Sequence, residues 1–119
     1  MNYFLVFVGG GIGSVLRFGI SELLKPYATT FPLATFIANI LSCFLLGIAM
    51  GLFSTQNISS QQKLFIVTGI CGGFSTFSTF TNENIILFQT ENIFLAVLNI
   101  LLSLIICFIC VLLGLKITN

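Results

Sequence analysis

Gly69-Ile70-Cys71-Gly72-Gly73-Phe74-Ser75-Thr76-Phe77-Ser78-Thr79-Phe80-Thr81-Asn82-Glu83-Asn84 is the polar stretch of an otherwise lipid-like chain. Glycine, serine and threonine are poor helix formers, yet here they stand where a membrane span should run unbroken. In hydrocarbon, broken backbone survives only where protein or a water-filled cavity satisfies its polar groups. The stretch therefore predicts a functional break within a transmembrane helix.

The rest of the chain fits that setting. Its 119 residues are 57% hydrophobic and 6% charged, with a mean hydropathy of +1.16. That is far less charge than a water-exposed domain carries. Several apolar runs approach the roughly 20 residues needed to cross about 30 Å of hydrocarbon. The first begins without a basic segment and ends without a small-residue cleavage site, so it reads as a retained span. A net charge of +1 and no basic patch give no nucleic-acid partner.

The expected fold is an all-α membrane protein with four spans, at about residues 3–24, 31–53, 62–89 and 92–116, forming a single domain over 1–119. The first contains Gly9-Gly10-Gly11-Ile12-Gly13-Ser14. This resembles a nucleotide loop only superficially, since no strand precedes it. Gly9 with Gly13, or Gly10 with Ser14, instead offers a small-xxx-small helix-packing face, as do Gly47 and Gly51 in the second span. Arg17 lies about 21 Å along the first span at 1.5 Å per residue. It can snorkel to the interface or serve as a cation in an anion-attracting vestibule. Pro32 suits a first helical turn. Asn39 is about 12 Å into the second span, where its amide either bonds a neighbouring helix or offers N–H groups to an anion.

The third span should start near Gln62, after the polar loop Ser54–Gln62. Gly72 then arrives about 15 Å deep, at the bilayer midplane. The span is expected to be broken near 72–77. In the fourth span Asn99, Ser103 and Cys107 share one helical face. All four cysteines (Cys43, Cys71, Cys107, Cys110) lie in apolar runs and no histidine is present. The Cys107-x-x-Cys110 pair therefore reads as small packing residues.

Four spans put Lys63 and Lys116 on one side, Arg17 and Lys25 on the other. The positive-inside rule then sets no orientation, which allows an antiparallel homodimer. Its two-fold axis would lie at the depth of the Gly72 break, and backbone carbonyls freed there suit a hard cation.

These residues resemble the Fluc (CrcB-type) fluoride channels along nearly the whole chain. The resemblance is carried by the glycine-rich start with Arg17-Phe18, by Pro32-Leu33-Ala34-Thr35-Phe36-Ile37-Ala38-Asn39, and most of all by the ordered run Gly69–Phe80. It implies a dual-topology homodimer in the cell membrane, passively exporting fluoride through two pathways. Asn39, Phe77 and Phe80 would line each pathway, joined by the hydroxyls of Ser78, Thr79 and Ser103. Arg17 and Glu83 would stand at its vestibule or mouth. A structural sodium ion would be held on the dimer axis by the backbone carbonyls of Gly72 and Ser75 from both subunits. The fourth span departs from the family pattern, keeping one hydroxyl, Ser103, among Asn99, Ser103 and Cys107.

The chemistry suits a small, strongly hydrated anion. Amide N–H and hydroxyl groups are close donors, and phenyl rings present a positive edge. Rival readings are a small dual-topology, proton-coupled multidrug exporter and a non-transporting membrane scaffold. The exporter needs a carboxylate deep in a span. Glu22 and Glu91 lie near span ends, and Glu83 follows the break. No nucleophile–base pair or metal cluster suggests an enzyme.

Overall fold

The computed structural model describes every residue from Met1 to Asn119 and is wholly helical. Helix α1 spans Asn2–Leu23 and α2 spans Leu33–Ser54. Helix α3 runs over 60–74, α4 over Phe77–Gln89 and α5 over Ile93–Thr118. Four stretches are long and apolar enough to cross a membrane: Asn2–Leu23, Leu33–Ser54, Ser60–Gln89 and Ile93–Thr118. The expected four-span architecture holds, with ends shifted by a few residues. Two differences are informative. Pro32 is the residue before the second helix, not within its first turn. The third span begins earlier than Gln62, because Ser59 and Gln62 form a reciprocal capping box that starts the helix at Ser60.

Helix α3 is not uniform. Ser60–Lys63 is α-helical, Leu64–Cys71 is π-helical, and Gly72–Phe74 returns to α. Wide turns of this kind are rare and tend to mark functional regions. This one lies against α1, where glycines face glycines. A Cβ added to Gly69 would come within 2.9 Å of Gly9 Cα, and one on Gly73 within 3.1 Å of Gly10 Cα. The glycine run of α1 is thus a close-packing surface for α3. Gly47 and Gly114 bring α2 and α5 together in the same way, at 3.0 Å for the corresponding Cβ contact.

Little of the chain is fully buried, and the buried residues are mostly small: Ala38, Ala49, Ala96, Ser42 and several glycines. Small residues let backbones approach where lipid offers no hydrophobic drive between helices. Large side chains such as Phe4, Phe7, Phe94 and Phe108 point outward. Such an inside-out arrangement suits a bilayer.

Candidate functional site

The break falls at Ser75–Thr76, inside the expected 72–77 window but past Gly72, at the middle of the Ser60–Gln89 span. Both residues are extended, with φ/ψ of −84°/154° and −148°/122°. Side chains explain the position. The Cys71 carbonyl accepts from the Ser75 N–H (3.1 Å), the Ser75 hydroxyl (2.9 Å) and the Ser42 hydroxyl (3.2 Å). The next amide, Thr76 N–H, leaves the helix to donate to Asn39 Oδ1 at 3.0 Å. Thr76 then caps α4, its hydroxyl accepting from the Thr79 N–H at 3.2 Å and lying 3.1 Å from Ser78 Oγ. The Gly73 carbonyl accepts from Arg17 Nε at 3.1 Å. The hydrogen bonds at the break thus end on Cys71 and Gly73, and leave the Gly72 and Ser75 carbonyls without one.

Asn39 is fixed by this arrangement. A backbone N–H must meet the amide oxygen, so the amide NH₂ is turned away from Thr76. Asn39, Ser75, Phe77, Phe80 and Ser103 line one cavity of about 220 Å³, with Cys43, Thr76 and Cys107 also in its wall. The Phe77 and Phe80 rings stand 5.8 Å apart at 31°. Phe77 is 78% exposed on the flank of the chain.

The other expected residues gather elsewhere. Arg17, Thr79 and Glu83 line a second, more polar cavity of about 350 Å³ between α1, α2 and α4, with Ser14, Ser21 and Thr35. Glu83 Oε2 accepts from the Thr35 hydroxyl at 3.0 Å, while its Oε1 is buried without a partner. Arg17 does not pair with it; the one ion pair within reach in the chain is Lys25–Glu22 at 3.6 Å. Arg17 therefore neither reaches a carboxylate nor simply extends away from the protein. It ties α1 to the end of α3. Ser78 and Gly72 are exposed and line neither cavity.

The fourth-span face carries a different device from a hydroxyl track. Asn99 is 1% exposed and donates through Nδ2 to Asn84 Oδ1 at 3.0 Å. Asn84 Nδ2 in turn donates to the Phe80 carbonyl at 3.0 Å. Ser103 spends its hydroxyl proton on Asn99 Oδ1 at 3.1 Å. This buried chain fastens α4 to α5 beside Phe80. Replacing Asn99 with leucine leaves Asn84 Oδ1 and the Ser103 hydroxyl without their partner, at a cost of about 1–3 kcal/mol. A thermal shift that falls for Asn99→Leu and much less for Leu101→Ala, on the lipid face, is the expected result.

Asn84, Thr35, Thr76 and Cys43 were not singled out by sequence reasoning. For Thr35 and Cys43 a signal existed: with Asn39 they recur every four residues on α2, one helical stripe.

A family model described as "CrcB-like protein, Camphor Resistance (CrcB)" matches residues 4–115. The chain belongs to the CrcB family. Among the curated CrcB-family relatives it is similar to, three named "Fluoride-specific ion channel FluC" span nearly the same length. The protein from Azobacteroides pseudotrichonymphae is 48% identical over 118 residues, covering 98% of this chain and 94% of the relative. That from Flavobacterium psychrophilum is 48% identical over 102 residues, covering 84% and 82%. An archaeal relative, from Pyrococcus horikoshii, is 43% identical over 111 residues, covering 92% and 89%. For a CrcB-family chain the match across the break and all four spans is therefore close to complete.

Proposed function

We propose that this multi-pass membrane protein is a fluoride-specific channel, not an enzyme, and lowers fluoride inside the cell by passive export across the cell membrane. The observation that carries the reading is the Asn39 amide. Its oxygen is held by the Thr76 N–H, so its N–H groups are free for an anion in the cavity bounded by Phe77 and Phe80. Such donors offset the dehydration of a small anion, and ring edges add favourable field. Replacing Phe80 with isoleucine removes the ring edge while keeping bulk. Fluoride efflux from proteoliposomes, followed with a fluoride electrode, is expected to fall by about tenfold or more, each tenfold corresponding to about 1.4 kcal/mol. Undiminished efflux would remove Phe80 from the pathway.

The working unit in this reading is an antiparallel, dual-topology homodimer with two pathways. Support comes from the balanced Lys and Arg count and from the outward exposure of Phe77, Ser78 and Gly72. A partner would cover that flank. A structural sodium ion belongs to the same reading. The Gly72 and Ser75 carbonyls, left out of helical bonding, are hard oxygen donors for such a cation. The ion supplies positive field that lowers the energy of an anion nearby. Because a ligand bound by the folded dimer stabilises it by mass action, thermal stability should be higher in sodium than in N-methylglucamine. Equal stability in the two would overturn the ion assignment.

A further inference from the structure

α2 and α5 lie side by side, run the same way and keep one register. A Cβ at Gly47 would sit 3.0 Å from the Val111 carbonyl carbon, and one at Gly51 would sit 3.2 Å from the Leu115 oxygen. Four residues along one helix match four along the other. One turn back, the same register sets Cys43 opposite Cys107; one turn further it sets Asn39 opposite Ser103. All four side chains line the first cavity. Neither thiol is in a disulfide.

We propose that Cys43 and Cys107 form a two-thiolate site for a soft monovalent metal ion of the copper(I) or silver(I) kind, set in the cavity wall. Thiolate sulfur selects soft ions. No third histidine, cysteine or carboxylate joins the pair, so the tetrahedral donor set that zinc takes is not available. Monovalent d¹⁰ ions accept two sulfurs alone. Each thiol gives up its proton to solvent as its sulfur–metal bond forms, and the metal keeps its oxidation state. Two thiolates and one monovalent cation leave a net negative charge one helical turn from Asn39. An anion in that cavity then meets both a bound ion and a like charge. The binding claim stands on the two thiols, and the effect on transport rests on the fluoride reading above.

Silver(I), as nitrate in chloride-free buffer, is the probe for the full-length protein. After desalting, wild type and Cys110→Ser should each retain one more silver ion per chain than Cys43→Ser or Cys107→Ser. In proteoliposomes, silver should slow fluoride efflux by about tenfold or more in wild type, each tenfold being about 1.4 kcal/mol. Cys43→Ser and Cys107→Ser, each compared with its own metal-free rate, should resist it. Equal silver retention in all variants, or inhibition that survives loss of either thiol, overturns the proposal. If wild type shows no efflux without silver, the fluoride reading fails while the retention counts still decide the metal site. Should either serine variant fail to fold, wild type decides it. Prior silver must protect Cys43 and Cys107 from a maleimide, read by peptide mass spectrometry, and full labelling of both overturns the site.

Discussion

Replacing Asn39 with aspartate is expected to abolish fluoride efflux while the protein stays folded. The substitution separates two jobs held by one side chain. Asn39 Oδ1 takes the Thr76 N–H that the helix break releases, and a carboxylate oxygen accepts that bond equally well. The break should keep its shape. What disappears is the pair of amide N–H donors, and what arrives is a negative charge in the cavity shared with Phe77 and Phe80. Losing a hydrogen bond to a charged group costs about 1.5–3 kcal/mol. Repulsion between like charges about 4 Å apart adds several kcal/mol at an effective dielectric near 20. The combined expectation is a loss of at least about 100-fold in rate. Thermal stability and elution volume should match wild type. Efflux within a few-fold of wild type would mean that this cavity is not where fluoride passes.

Replacing Gly13 with valine is expected to prevent assembly of the fold. Gly13 is buried where α1 crosses α3. Even the Cβ of an alanine would stand 2.7 Å from the Phe74 nitrogen and 3.0 Å from the Ile70 carbonyl carbon. These are backbone atoms of the segment just before the break, so they cannot rotate aside as a side-chain end can. Overpacking of this kind costs about 3 kcal/mol or more, a large part of the stability of a small domain. Valine adds two further methyl groups. The expected outcome is little recoverable folded protein, or a strongly lowered melting temperature. Gly19 provides the control. No atom lies within 4 Å of a Cβ built there, so Gly19→Ala should be neutral or gain up to about 1 kcal/mol in helix propensity. If Gly13→Val melts like wild type, the α1–α3 contact is not the close approach described above.

Much of the fold was legible because bilayer physics leaves few options. Apolar runs of this length must be helices, and the spans appear within a few residues of their expected ends. The break was legible as composition, but not its position. Glycine content pointed to Gly72, whereas Ser75 and Asn39 decide the matter by taking the Cys71 carbonyl and the Thr76 amide. The Asn39–Thr76 contact joins residues far apart in sequence, so no local pattern reports it. The same holds for the π-helical turns of Leu64–Cys71, which no local composition announces. Within the candidate site, Asn39, Phe77, Phe80 and Ser103 do come together, while Arg17, Thr79 and Glu83 gather in a separate cavity. Helical periodicity can assign a residue to a face, but not say which neighbour that face will meet. Asn99 illustrates the limit. Its spacing with Ser103 was visible, yet its partner Asn84 stands on another helix.

The glycine contact between α2 and α5 has a mechanical consequence. Helices whose backbones touch at Gly47 and Gly114 cannot slide or tilt separately without opening a void. They behave as one stiff plate. Asn39, Cys43, Ser103 and Cys107 are all mounted on that plate, so their mutual spacing is set once, at folding. Phe77 and Phe80 belong to α4, a short segment that begins at the Thr76 cap and ends before the turn at Thr90. The Asn84–Asn99 pair ties α4 to the same plate, so a change in the bore of the cavity falls to rotation of the phenylalanine rings against a wall that does not yield.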